Sequence, residues 1–183
     1  MAVQAGAYYN RTNVLLQSCY LKKANTLPTT LNPSPGDYVS AIKKLDQQSM
    51  QMVVLTMTSK GSGAYPSCLA AIEMLRDKMP KLQVEVVDTL AVAMAQGWSV
   101  IEAARAARKG LALTEVVAKA KEVASKSMML MTADALRYLY MGGRIGRAQH
   151  LMGSLLNSKP IIGSNKVIDP RTNAVKWYYP VEK

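Results

Sequence analysis

"MVVLTMTSKGSGAYP", residues 52–66, changes character twice along its length. Residues 52–59 are almost wholly apolar, which predicts a short strand buried on both faces, as in a parallel sheet. A polar segment with glycines follows, and from about Pro66 to Met79 the pattern is helical. A strand that enters a helix through a polar loop is half of a βαβ unit. "LQVEVVD" (82–88) supplies the second strand.

The same alternation extends outward in both directions. Upstream, "SPGDYVSAIKKL" (34–45) predicts a helix. Ser34 suits the cap, Pro35 the first helical position and Asp37 the first turn. Tyr38, Val39, Ile42 and Leu45 fall on one apolar stripe. Downstream, residues 89–110 read as a long alanine-rich helix, and Thr114 can cap another through Lys126. "SMMLMT" (127–132) is a third apolar strand, and residues 133–141 and 148–157 read as short helices. Residues 159–169 offer one or two short strands. Strands alternating with helices imply an α/β fold with parallel strands. A boundary near residue 126, where the long helices stop, divides the chain into an N-terminal α/β domain (1–126) and a partial C-terminal α/β domain (127–183). Residues 1–25 show no clean period, and 25–35 form a proline-bearing loop.

Composition narrows the class. Hydrophobic residues make up 49% of the 183, enough for a buried core. Phenylalanine is absent, and twelve methionines, unbranched and adaptable, take part of that packing role. Lysine and arginine total 23 against 12 acids, a formal charge of +11. The cations are scattered along the polar sides of helices, without a run of five, so a solvated surface is the first reading and a nucleic-acid binder is disfavoured. Cys19 and Cys68 lack metal spacing and a disulfide framework. The first thirty residues hold no signal-like apolar core, and no apolar run approaches a membrane span. These features point to a soluble protein of a reducing compartment, the cytoplasm.

Three polar clusters lie at helix starts or beyond strand ends, where ligands bind in open α/β sheets. They are Thr29, Thr30, Asn32 and Ser34; Thr58, Ser59, Ser62, Gly63 and Ala64; and Asp88 with Thr89. Hydroxyls and free N–H groups at helix starts suit a carboxylate or phosphate, although each residue also suits plain helix capping, which is the simpler reading for Asp88. Neither glycine segment matches a phosphate-loop or dinucleotide fingerprint. "LYMGGRIGR" (139–147) is a sharp glycine turn carrying Arg144 and Arg147. His150 is the sole histidine, with no acid partner in view, and no zinc ligand set exists. The early-helix position of Cys68 would favour a thiolate, but its alanine and leucine neighbours favour packing.

Taken together, "TTLNPSPGDY" (29–38), "TSKGSGAYPSCLAA" (58–71), "VEVVDT" (84–89) and "LRYLYMGGRIGRAQHLMGSLLNSKPIIG" (136–163) resemble the DegV family, bacterial fatty-acid-binding proteins of the fatty acid kinase system. The resemblance implies a two-domain α/β architecture, with the second domain truncated here. It also implies a long-chain fatty acid held between the domains, its carboxylate gripped by hydroxyls and presented to a fatty acid kinase. The family's Thr-Ser-x-Pro loop falls on Thr30-Leu31-Asn32-Pro33, keeping the threonine and losing the serine. Its Ser-Gly-Thr loop falls on Ser62-Gly63-Ala64, keeping the serine and losing the threonine. Its Gly-Gly-Arg-Ile turn is intact at Gly142-Gly143-Arg144-Ile145.

The implied carboxylate site is therefore Thr30, Ser62 and Gly63, with Arg144, Gly142 and Gly143 contacting the head group or a partner. The family's opening Asp-Ser-Thr strand is not recognisable in residues 1–25, and its C-terminal histidine has no counterpart in His150. The chain thus reads as a family member shortened at both ends. The expectation is a carrier that needs no cofactor and is not itself an enzyme. A self-associating homo-oligomer without ligand is the alternative, and a basic nucleic-acid binder ranks behind both.

Overall fold

The computed structural model describes residues 31–46, 50–132, 140–143, 161–163, 165–168 and 175–178. Among them the elements run α1 (Pro35–Asp46), β1 (Gln51–Thr56), α2 (Ala64–Leu75), β2 (Gln83–Asp88), α3 (Ala93–Arg108) and α4 (Leu113–Lys126). Then come β3 (Leu130–Thr132), β4 (Ile161–Gly163), β5 (Asn165–Ile168) and β6 (Val175–Tyr178). Of these residues, Asn32–Thr132 and the strands after residue 160 fall in one compact unit, and Leu31 with Tyr140–Gly143 in a second.

The expected βαβ unit is present. β1 and β2 pair in parallel, in register from Gln51↔Gln83 to Thr56↔Asp88. Side chains alternate across a strand, and each face of this pair is covered. Met52 packs with Ile42 of α1 and Leu75 of α2. Val53 and Val87 face the other way, against Ala103 and Ala106 of α3 and Val116, Val117 and Ala120 of α4. Helices thus cover both faces, which is why "MVVLT" reads as a continuous apolar run rather than an alternating one. β3 pairs β4 antiparallel, as does β5 with β6. β6 was not anticipated, since "VKWY" is too short to show a period.

The helix starts follow local chemistry. Ser34 and Asp37 form a reciprocal cap: the Asp37 N–H donates to Ser34 Oγ at 3.2 Å, and the Ser34 N–H donates to Asp37 Oδ2 at 2.8 Å. The Ser34 hydroxyl, donating to Asp37 Oδ2 at 2.7 Å, and then the Ser34 N–H hold the Asp37 carboxyl below its ordinary pKa. Thr114 is not a cap. The cap of α4 is Ala112, whose N–H donates to the Glu115 carboxylate at 2.8 Å. α3 begins at Ala93, later than its composition suggests, because Leu90 and Ala93 both adopt positive φ (51° and 52°) and break the helical path.

Candidate functional site

The polar clusters of the first unit meet beyond the C-terminal ends of β1 and β2. Asp88, the last residue of β2, does not cap α3, which has no side-chain cap. Its carboxylate accepts from the Ser59 N–H at 3.2 Å and the Leu90 N–H at 3.0 Å, tying the β1–α2 loop to the β2–α3 loop. Buried Thr89 reinforces this junction. Its hydroxyl donates to the Thr56 carbonyl at 2.8 Å, and the Thr58 N–H donates to the Ala91 carbonyl at 2.9 Å. Buried acceptors and donors that are all paired make a rigid floor.

On that floor the β1–α2 loop turns into α2. Thr58 O accepts from the N–H groups of Gly61 and Ser62, and Ser62 Oγ accepts from the Ala64 N–H at 3.2 Å. A hydroxyl that accepts in this way keeps its own O–H for a further acceptor. The N–H groups of Gly63 and Tyr65 find no acceptor among the described residues, as the first turn of a helix dictates, and Pro66 contributes none. Three donors, the Ser62 O–H and the Gly63 and Tyr65 N–H groups, therefore lie at the positive end of the α2 dipole, where an anion is favoured.

Asn32 joins the first and second clusters. Its Nδ2 donates to Ser67 Oγ at 2.9 Å and to the Pro33 carbonyl at 3.0 Å. Its Oδ1 lies over Gly63, where an added Cβ would stand 2.7 Å away. Gly63 has φ −76°, open to any residue, so glycine is needed here for space. Asn32 thus ties the segment just before α1 to the start of α2. Sequence reading named Asn32, Ser62 and Gly63 but missed Ser67. Its signal was slight: a serine four residues after Gly63, one helical turn along the same face.

Thr30 and Arg144 lie outside the described residues. Gly142 and Gly143 belong to the second unit. There the Gly143 N–H donates to the Tyr140 carbonyl at 2.9 Å, with Gly143 at φ +68°. A Cβ at Gly143 would meet nothing within 4 Å, so this glycine serves the left-handed turn rather than a close approach. Cys68 is fully buried, and burial pushes its thiol up to about 11, so it is a packing residue. Among the described residues no group of His, Cys, Asp and Glu could hold a metal ion, and no helix is long and apolar enough to cross a membrane.

These features define an α/β protein with hydrogen-bond donors left open at a helix start beyond its strand ends. The family model described as an uncharacterised protein of the DegV family matches residues 8–174, and the chain belongs to that family. It is 31% identical to a DegV domain-containing protein of Caldanaerobacter subterraneus over 96% of this chain and 64% of that one. It is 35% identical to one of Clostridium acetobutylicum over 74% of this chain and 48% of that one. The chain therefore spans about half to two thirds of the length of these relatives. Among solved structures it is similar to one described as fatty acid binding of a DegV family protein from Thermus thermophilus, with TM-score 0.71 and 28% identity over 81% of this chain and 51% of that one. It is also similar to a stearic acid-binding protein from Eubacterium ventriosum, with TM-score 0.72 and 26% identity over 81% of this chain and 50% of that one.

Proposed function

We propose that this chain is a fatty-acid-binding carrier whose carboxylate site lies at the start of α2. The observation that supports the reading is the seating of Asn32 over Gly63, beside the donors of Ser62, Gly63 and Tyr65 at the start of α2. A carboxylate accepts several hydrogen bonds at once, and charge-assisted bonds are the stronger kind. The fatty acid and stearic acid in the descriptions of the two similar structures favour a long acyl chain as the remainder of the ligand. Such a chain needs only a dry apolar lining, at about 0.8 kcal/mol per buried methylene.

In this reading Thr30 adds a hydroxyl to the carboxylate site, and the Gly142-Gly143-Arg144 turn contacts the head group or the partner. That partner is a fatty acid kinase, which performs the chemistry on the presented carboxylate while the carrier itself acts only by binding. Titration with a fluorescent long-chain fatty acid tests the site. Thr30→Ala combined with Ser62→Ala is expected to weaken binding about tenfold or more, at roughly 1 kcal/mol or more per lost bond to a charged group. A folded double variant with unchanged affinity refutes the carboxylate site.

A further inference from the structure

We infer that the outer face of α3 is a docking surface for an anionic lipid bilayer, on which the helix lies flat. At 100° per residue, Met94, Trp98, Ile101, Arg105, Arg108 and Lys109 share an arc of about 100°. The residues that α3 buries against the sheet and α4, Ala95, Ser99, Ala103 and Ala106, form a separate arc. The outer stripe is uncommon in two respects. Its first half is apolar yet open: Met94 is 56% and Trp98 50% exposed. Its second half is cationic: Arg105, Arg108 and Lys109 are exposed, and among the described residues neither Arg108 nor Lys109 has an ion pair. Arg105 pairs with Glu102 at 2.6 Å, the one acid on the helix.

Local packing supports the arrangement. The Met94 side chain lies along the helix next to Gly97, its Sδ 3.0 Å from where a Cβ of Gly97 would stand, so the glycine leaves Met94 its room. From Met94 to Lys109 the stripe is about 22 Å long. An exposed tryptophan and methionine followed by unpaired cations match a helix in the plane of an interface, ring and thioether among the acyl chains and cations at lipid phosphates. The net charge of +11 adds long-range attraction. A polyanion such as RNA would satisfy the cations but would leave Met94 and Ile101 without partners. The inference rests on this surface alone and not on the carboxylate site.

The test uses the full chain with Trp177→Phe, so that Trp98 is the only tryptophan. Vesicles of equal parts phosphatidylglycerol and phosphatidylcholine are expected to shift its emission to the blue and to co-sediment with the protein. Vesicles of phosphatidylcholine alone are expected to do neither. In the protein with both tryptophans, Arg108→Glu with Lys109→Glu is expected to weaken co-sedimentation by more than about tenfold, and Trp98→Ala to weaken it while the circular dichroism stays unchanged. Three results would each overturn the inference: no vesicle binding, binding insensitive to both variants, or an equal blue shift with an RNA oligonucleotide in place of vesicles.

Discussion

Gly63 and Asn32 form a two-residue lock. Asn32 Oδ1 occupies the space that a side chain at Gly63 would take, while its amide holds Ser67. Gly63→Ala must push Asn32 off that contact. We expect it to cost about 1 kcal/mol of stability from crowding and the lost hydrogen bond, and to weaken fatty acid binding as well. In an Asn32→Ala background the same substitution is expected to cost less than half as much, a coupling that urea denaturation of the four proteins in the cycle would resolve. Equal costs in the two backgrounds would remove the lock. At Cys68, full burial and a thiol pushed up to about 11 make the sulfur both enclosed and protonated. With Cys19→Ser in place, a disulfide reagent at mildly alkaline pH is expected to label Cys68 only as fast as the protein unfolds. Labelling within the mixing time would contradict that placement.

At the scale of elements, α4 carries a charge triad on its outer surface. Glu122 Oε2 accepts from Lys119 at 2.8 Å and Oε1 from Lys126 at 2.6 Å. Hydrogen bonds from Lys119 and then Lys126 hold the Glu122 carboxyl at about 2, below its ordinary 4.5. A carboxyl with a depressed folded-state pKa contributes stability that is present above its unfolded value and fades as pH falls toward the folded one. Glu122→Gln is therefore expected to melt slightly below the parent at neutral pH, with the gap closing between about pH 4.5 and 2. The neutral-pH gap is expected to be small and salt-sensitive, because all three side chains are exposed. Thermal melts followed by circular dichroism at the two ends of that range check it, and a gap that widens on acidification would refute it.

The elements from α1 to α4 were legible because their burial is periodic. A strand covered on both faces gives an apolar run, and Ser34-Pro35-Gly36-Asp37 spells out its own cap. Element starts were less legible where the backbone departs from what composition favours. Residues 89–92 read as the start of a long helix, but positive φ at Leu90 and Ala93 delays it.

At the scale of the whole molecule, the order of the polar clusters was visible in the sequence, and their convergence beyond the strand ends follows from a parallel sheet. The contacts that join them were not. Which side chain lies over Gly63 is set by a loop some thirty residues away, and whether Asp88 caps a helix or bridges two loops depends on backbone directions that no local pattern encodes. Ser67 is a single serine in a helix, with nothing in its neighbours to mark it. The family resemblance reached further than periodicity, because the spacing of several motifs carries long-range information that one segment lacks. The chain nevertheless spans about half to two thirds of its relatives' length. Ligand binding by this length of chain is thus the central claim to test.

Native mass spectrometry of the chain purified without added lipid, with the released small molecules then identified under denaturing conditions, addresses it most directly. We expect one long-chain fatty acid per chain, displaced or lost in the Thr30→Ala, Ser62→Ala double variant. A folded protein that carries no lipid and takes up none when a long-chain fatty acid is added, whether it runs as a monomer or as a self-associated oligomer, would overturn the carrier reading.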